Sequence, residues 1–296
     1  MGYSDPFDAE GTWYKANLHS HSTQSDGMLS PNDLARWFRN YGYDILAITD
    51  HQKVTDPAMV RERGIFCLPG AELDVGKTES GCTFHLVALG IGEASEFTHD
   101  MTLQATLTRV DAAGGISYVA HPYWSCLCAN DLLGAESLLG VEVYNHGCEL
   151  EIGKGFSAVH WDDLLLRGAH LTTIAVDDCH RAGWDFFGGW TMIRAKQLSC
   201  EAILDALRKG HCYATMGPLI HDLRIEDGEL SVECSDAASI HFIGNHQTGD
   251  CVHADQRPPL RGAKYHLSGH ERYVRVEIIG PTGLRAWSQP FFLAPT

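Results

Sequence analysis

The chain has 296 residues, of which 44% are hydrophobic and 20% are charged, and its formal net charge is −16 with the histidines neutral. This composition predicts a globular protein that is long enough to bury a full hydrophobic core. The negative charge argues against non-specific binding to nucleic acid or to an anionic membrane surface, so we expect neither as a partner.

The start of the chain and the distribution of its cysteines both predict a cytoplasmic protein. Met1 to Gly11 is polar and acidic and lacks the basic start and apolar run of a signal peptide. The ten cysteines have no regular spacing, so we expect reduced, mostly buried thiols. The pair Cys126 and Cys128 is interpreted as structural because no second pair accompanies it.

Strand and helix signals alternate up to about residue 215. Ser30, Pro31 and Asp33 have the spacing of a capped helix start, and Gly42 ends that helix. Tyr43 to Ile48 then reads as a buried strand. Further helices are predicted at Met101 to Ala113, Ser157 to Arg167 and Ser199 to Lys209. Repeated units of this kind imply a largely parallel barrel whose site lies where the strands end.

Histidines and acidic residues flank these short apolar strands in a regular series. His19 and His21 lie two residues apart on one extended segment, so their imidazoles can reach one ion from the same side of the pleat. Imidazole and carboxylate together suit zinc, manganese or iron. The candidate ligands are His19, His21, Asp26, His51, Glu72, His85, His121, Asp178 and His180. Nine ligands are too many for a single ion.

The order HxH…SDG…TDH…E…H…HP…DxH resembles that of the polymerase-and-histidinol-phosphatase (PHP) metallohydrolases, over roughly residues 15 to 215. The resemblance implies an α/β fold, a distorted (β/α)7 barrel that carries two or three divalent metal ions at the C-terminal ends of its strands. It also implies which side chains share an ion: His19, His21, Glu72 and Asp178 hold the first, Glu72, His85 and His121 the second, and Asp26, His51 and His180 the third.

Within that family the chain resembles the carbaryl-hydrolase-like branch, through Ala120 to Trp124, Gly189 to Met192 and Ala286 to Pro290. It departs from the phosphatase members at one point. They often carry an arginine shortly after the His-Pro pair, where this chain has Tyr123 and Trp124. This departure weakens the prediction of a phosphomonoester substrate.

The pattern changes after Gly217 and Pro218. Short alternating strands such as Tyr273 to Ile278 follow one another, separated by turns such as Asp227 and Gly228. We therefore divide the chain into a barrel over residues 1–217 and a small antiparallel, immunoglobulin-like β-sandwich over residues 218–296. The sandwich could wall the active site or join two copies of the chain, and the sequence leaves a homo-oligomer open.

The metals determine the predicted chemistry. A water shared by two divalent ions loses a proton near neutral pH, and the resulting hydroxide is the nucleophile. Glu72 suits the bridging position because a carboxylate can give one oxygen to each ion. We therefore predict a metal-dependent hydrolase of small molecules, most simply a phosphoesterase, with a carboxylic ester, carbamate or amide hydrolase as the alternative. A non-catalytic metal-binding module and a nucleic-acid processing domain are weaker alternatives.

Four residues beside the ligands have predicted supporting roles. His146 follows a strand end on the same rim and is a candidate substrate contact or proton donor. Arg181 directly follows the last ligand and is placed to meet a substrate anion. Asp50 is expected to orient a metal-bound imidazole, whereas Asp177 should point away and accept hydrogen bonds from backbone. An apolar pocket wall is expected from Trp124, Trp184 and Trp190.

Overall fold

The computed structural model describes residues 5–94, 96–255 and 258–293. The prediction that no signal peptide is present concerns in part residues 1–4, which lie outside this range. Among the described residues, no helix has the length and apolar character needed to cross a membrane. The helices are α1 Pro31–Asn40, α2 Leu103–Ala112, α3 Ala129–Leu132, α4 His146–Ile152, α5 Ala158–Leu166 and α6 Cys200–Arg208, with one 3-10 turn at Pro57–Met59.

The first nine strands alternate with these helices as predicted, except that a 3-10 turn alone lies between β2 and β3 and no helix lies between β3 and β4 or between β7 and β8. They are β1 Thr12–Asn17, β2 Ile45–Ile48, β3 Phe66–Val75, β4 Phe84–Leu89, β5 Ile116–Val119, β6 Leu138–Asn145, β7 Thr172–Val176, β8 Trp190–Ala195 and β9 Cys212–Thr215. The predicted cap of α1 is present, because the Ser30 hydroxyl accepts a hydrogen bond from the backbone N–H of Asp33 at 3.2 Å.

The sheet is mixed, which corrects the expectation of a largely parallel one. β1, β2 and β3 are parallel to one another, and so are β5, β6 and β7. Between these two groups, β4 runs antiparallel to both β3 and β5, and β8 runs antiparallel to β1. The reason is the short link over residues 76–83, which contains no crossover helix and so returns the chain in the opposite direction.

The sheet curls until the end of β7 meets the end of β1. The backbone N–H of Asp178 donates to the carbonyl of His19 at 2.9 Å, and the N–H of His21 donates to the carbonyl of Cys179 at 3.0 Å. The side chain of Asn17 extends this junction by accepting from the N–H of Asp177. The mixed α/β fold is therefore confirmed, while the sevenfold (β/α) repeat stays a prediction.

The interior of the curled sheet is filled by apolar side chains from several strands and from α6. Burial of each such side chain contributes roughly 1.5–3 kcal/mol. Members of this cluster with no exposed surface are Leu18, Ala47, Val87, Tyr118, Ile174 and Ile203. This packing leaves little freedom to the strand ends that carry the polar side chains.

The remainder of the described chain is built from strands. They are β10 Ile220–Glu226, β11 Glu229–Ala237, β12 Ser239–Gly244, β13 Gly249–His253, β14 Leu260–His266, β15 Tyr273–Ile279, β16 Arg285–Ser288 and β17 Phe291–Phe292. β10, β11 and β14 form a separate antiparallel sheet. The others join the large sheet, because β16 pairs with β9 in antiparallel register. A separate sandwich domain beginning at residue 218 stays a prediction.

Two of the polar contacts that attach these C-terminal strands to the first part of the chain involve buried side chains. Arg275 on β15 is fully buried and forms a bidentate ion pair with Asp162 on α5, at 2.7 and 2.6 Å. The side-chain amide of Gln289 accepts from the N–H of Thr173 at 2.8 Å and donates to the carbonyl of the same residue at 2.7 Å. The side chain of Gln289 thus makes the two backbone hydrogen bonds to β7 that a neighbouring strand would otherwise make.

Candidate metal centre

The nine residues predicted as ligands converge at one end of the curled sheet. They come from the ends of β1, β2, β5 and β7, from within β3 and β4, and from the loop that follows β1. A cavity of about 420 Å³ opens beside them. Most of the nine line this cavity, and the two that do not, His19 and His21, are buried.

A buried group, here called the floor, consists of His19, His21, Glu72, His121 and Asp178. The Nε2 atoms of His19 and His21 lie 3.1 Å apart. Each lies 3.2 Å from Oε2 of Glu72. Oδ1 of Asp178 lies 3.2 Å from the first of these nitrogens and 3.1 Å from the second. Two imidazole nitrogens and two carboxylate oxygens that converge so closely form a donor set for one cation.

The two oxygens of Glu72 face different neighbours. While Oε2 faces His19 and His21, Oε1 lies 2.9 Å from Nδ1 of His85 and 3.3 Å from Nε2 of His121. These last two imidazoles and Glu72 form a second potential ligand group. The carboxylate therefore has the geometry of a bridge between two ions.

A more open group, here called the rim, consists of Asp26, His51 and His180. Their side chains are 54%, 30% and 30% exposed. Oδ2 of Asp26 lies 3.7 Å from Nε2 of His51 and 3.4 Å from Nε2 of His180. Oδ1 of the same carboxylate lies 3.4 Å from Nδ1 of His21, which joins the rim to the floor. With His21 the rim forms a third potential ligand group.

Electrostatic coupling within the cluster is strong. Burial by itself lowers the pKa of His21, but the adjacent carboxylates of Asp178 and Glu72 outweigh it and raise the pKa to about 9. Burial would raise the pKa of Glu72, yet His19 and the other imidazoles hold it well below the usual range. The carboxylates thus create a negative potential at the imidazole nitrogens, which favours a cation there.

A buried acid that the sequence analysis did not identify supports the floor. Glu142 on β6 holds Nδ1 of His19 at 2.6 Å through one oxygen. Its other oxygen accepts from the N–H of His121 at 2.8 Å and from the amide of Asn145 at 2.9 Å. Because Glu142 holds Nδ1 of His19, the Nε2 atom of that ring is directed at the other ligands. The sequence signal that could have identified Glu142 is a single acidic residue within the apolar strand β6.

Asp74 is a second acid that the sequence analysis missed. Its carboxylate lies 3.2 Å from Nδ1 of His51 and 3.2 Å from Nδ1 of His85. It lies two residues after Glu72 on β3, and the side chains of such residues share one face of the sheet. The spacing of two residues from Glu72 could have indicated Asp74 in the sequence. His51, Glu72 and Asp74 form a further potential ligand group.

Asp50 differs from its predicted role and Asp177 agrees with it. Asp50 accepts hydrogen bonds from the backbone and hydroxyl of Ser22, from Ser25 and from Thr55. It therefore organises the loop that carries Asp26 rather than an imidazole. Asp177 accepts from three consecutive backbone N–H groups over residues 187–189, as expected. Burial raises its pKa to about 7, against the effect of these bonds.

His146 and Arg181 have different positions relative to the cavity. His146 begins α4, and its Nδ1 lies 2.8 Å from the hydroxyl of Tyr144. Its ring packs so closely on Gly188 that a Cβ there would lie 2.2 Å from it. The structure does not bring it into the cavity lining, and its catalytic role stays an untested prediction. Arg181 does line the cavity, with its guanidinium carbon 5.1 Å from the ring of Trp184.

Tryptophan and acidic side chains form the cavity wall. The ring of Trp124 lies 4.9 Å from that of His121, and its Nε1 donates to Glu151 at 3.1 Å. Trp184 also lines the cavity, in agreement with the prediction for both tryptophans. Trp190 instead packs beneath the ammonium group of Lys15 at 4.2 Å. The wall therefore combines aromatic surface with negative charge.

Comparison with known proteins gives a likeness of fold. No family model matches the chain. A 5'-3' exoribonuclease of Haemophilus influenzae is 37% identical over 79 residues, which are 25% of this chain and 28% of the exoribonuclease. The matched stretch thus spans little more than a quarter of that relative.

Two solved structures resemble the chain. A two-domain protein from Bacteroides vulgatus, which contains a predicted PHP-like metal-dependent phosphoesterase, has a TM-score of 0.58 at 16% identity, and the match covers 98% of each chain. An amidohydrolase from Chromobacterium violaceum has a TM-score of 0.44 at 18% identity, over 57% of this chain and 89% of its own. The first likeness shows that this chain has a PHP-like mixed α/β fold.

Proposed function

We propose that the chain is a metal-dependent hydrolase that cleaves phosphoesters of small molecules. The observation that carries this proposal is the overlap of the three ligand groups: Glu72 belongs to two of them, and His21 joins the floor to the rim. We further propose that residues 1–217 form the catalytic barrel, of the carbaryl-hydrolase-like branch, and residues 218–296 an accessory sandwich.

The donor set fits divalent zinc, manganese or iron, because it combines buried imidazoles with carboxylates. The floor residues His19, His21, Glu72 and Asp178 would hold one ion. Glu72, His85 and His121 would hold a second, and the rim would hold a third. Ions bound there would lower the pKa of a water and polarise the scissile group.

The chain's own residues determine where the substrate lies. Among the lining residues that the structure describes, Arg181 is the side chain with a permanent positive charge, and it would bind a phosphate oxygen at the mouth of the cavity. Glu151 and Asp185 line the same cavity and oppose the binding of a dianion. Trp124 offers apolar surface next to the ligands. We therefore expect a phosphodiester, or an ester of a bulky aromatic alcohol, to be preferred over a phosphomonoester.

The test is a comparison of kcat/KM on one metal-loaded preparation for p-nitrophenyl phosphate, bis-p-nitrophenyl phosphate and a naphthyl carboxylic ester. Elemental analysis of the same preparation gives the number of ions per chain. We expect the diester to be cleaved fastest, and Arg181→Ala to reduce kcat/KM for both phosphate substrates but not for the ester. A clear preference for the monoester would contradict the argument from the cavity wall.

A carboxylic ester, carbamate or amide hydrolase is the second candidate. The aromatic and acidic wall formed by Trp124, Trp184 and Glu151 favours it, because a neutral aromatic substrate needs no counter-charge. Turnover of the naphthyl ester alone would support this candidate. Metal binding without turnover of any substrate would indicate a non-catalytic module. An oligoribonucleotide belongs in the same assay because of the partial match to the exoribonuclease, although the net charge of −16 argues against it.

A further inference from the structure

A cysteine lies beside the metal-ligand cluster and has no role in the proposal above. Cys148 is buried, lies in the first turn of α4, and lines the cavity. Its Sγ lies 3.9 Å from Oδ2 of Asp178, and Nε2 of His121 lies 3.7 Å from the same oxygen. The three donor atoms lie within 4.8 Å of one another. They form a compact sulfur, nitrogen and oxygen group.

The spacing of these atoms fits a single tetrahedral ion. Ligand distances of about 2.3 Å for sulfur and about 2.0 Å for nitrogen and oxygen place such atoms about 3.3–3.5 Å apart. The observed separations of 3.9 and 3.7 Å exceed these values by a few tenths of an ångström.

The position of Cys148 is fixed by its neighbours. The side chain of Asn145 accepts from the N–H of Cys148 at 2.9 Å and donates to Oδ2 of Asp178 at 3.1 Å. Gly147 lets α4 approach β7 closely, because a Cβ at this position would lie 2.7 Å from the carbonyl of Asp178. Both contacts hold the Cys148 thiol next to Asp178.

Asp178 divides its oxygens as Glu72 does. Oδ1 faces His19 and His21, is buried, and makes no well-directed hydrogen bond. Oδ2 faces His121, Asn145 and Cys148. The side chain of Asp178 is only 9% exposed. An unpaired buried carboxylate oxygen is costly unless a cation satisfies it.

We propose that Cys148 is a ligand, through its thiolate, of the ion at the second position, which it would hold together with His121 and Asp178. This inference rests on the proposed function in one respect, namely that metal ions bind in the cluster. The sulfur–metal bond forms as the thiol proton is released to solvent. Thiolate is a soft ligand that selects zinc or iron(II) over manganese and magnesium. The cysteine therefore makes the second ion position selective for thiophilic metals.

The test uses the full-length protein loaded with cobalt(II), whose thiolate complexes absorb in the near ultraviolet through sulfur-to-metal charge transfer. We expect this band in the unmodified protein and its loss in Cys148→Ser. Cys212→Ser is the matched control, because Cys212 is also buried but lies on β9 beside Gln289. It should keep the band. Zinc affinity of the second position should fall about tenfold or more in Cys148→Ser, with manganese affinity nearly unchanged.

Three results would contradict the inference, and they are distinguishable. Cobalt bound near two ions per chain without the band would overturn the role of Cys148 and leave the proposed function intact. Failure to bind cobalt, zinc or manganese at all would overturn both. A band of unchanged intensity in Cys148→Ser would assign it to another thiol. Absence of the band from the cobalt-loaded unmodified protein would overturn the inference even if the variant does not fold.

Discussion

The floor and the rim of the cluster use the same residue types but are supported very differently. In the floor, Glu142 and Asn145 hold His19 and Asp178 from behind, and backbone hydrogen bonds join β7 to β1 directly beside them. In the rim, Asp26 lies on a loop and its side chain is 54% exposed. Under the proposed function, the floor is a rigid half that would set the spacing of an ion pair, and the rim is an adjustable half that could release its ion.

The strongest test of this comparison is Glu72→Gln. An amide cannot offer two anionic oxygens to two ions, so the pair should lose its spacing. We expect the rate to fall on the order of a thousandfold or more, comparable to the loss of a principal electrostatic stabiliser. Steady-state kinetics and metal content measure it. Glu201→Gln, on the exposed surface of α6, is the control. Retention of most activity by Glu72→Gln would show that the carboxylate does not bridge.

Glu142→Gln tests whether the rigidity of the floor comes from behind the ligands. One oxygen of Glu142 accepts from both His121 and Asn145, and an amide NH2 there would face two donors. We expect metal affinity to fall roughly ten- to a hundredfold, as is usual for residues that orient a ligand. Competition with a chromophoric chelator measures this. Glu136→Gln, exposed just before β6, should bind metal normally. Equal affinity in the two variants would refute the supporting role.

His51→Ala removes one rim ligand and should have a smaller effect. We expect loss of about one ion per chain and a fall in rate on the order of tenfold, because the two ions bridged by Glu72 would remain. Chelation of the unmodified protein should likewise remove the rim ion first. Time-resolved elemental analysis during dialysis against a chelator measures the order. Simultaneous loss of all ions would mean that floor and rim are one cooperative site.

Asp50→Asn should give the smallest effect. The carboxylate of Asp50 holds the loop of Asp26 through Ser22, Ser25 and Thr55, and an amide can satisfy only part of these donors. We expect the free energy of unfolding to fall by about 1–3 kcal/mol. Denaturant unfolding of metal-free protein measures it. The zinc affinity of the floor should not change, and a large loss there would place Asp50 among the determinants of the floor.

Most of the candidate ligands could be predicted because they stand where a short apolar strand begins, ends or carries one polar residue, whereas Asp26 lies on the loop after β1. His19 and His21 need only the alternation of an extended segment to be placed on one side. Glu142 and Cys148 could not be predicted in this way. The signal for Glu142 is one acid inside a buried strand, and its partner His19 lies 123 residues earlier. Cys148 depends on how the first turn of α4 docks on β7.

Long-range pairing also limited the prediction of the fold. The helix starts and most strands follow from local patterns, as the capped start of α1 shows. β4 runs in the opposite direction to β3 because the link over residues 76–83 is short. Local strand patterns do not distinguish such a link from a crossover connection. The pairing of β16 with β9 joins residues about seventy positions apart. His146 was favoured for its place at a strand end, but Cys148, two residues later on α4, is the side chain that lines the cavity.

Gln289 has a consequence for how the protein can be divided. Its amide satisfies both backbone groups of Thr173, on the strand that leads to Asp178. A fragment that ends at residue 217 would lose both of these hydrogen bonds and the strand β16 that pairs with β9. The C-terminal tail therefore supports the strand that leads to Asp178, and we expect the full chain to be more stable than a fragment cut at residue 217.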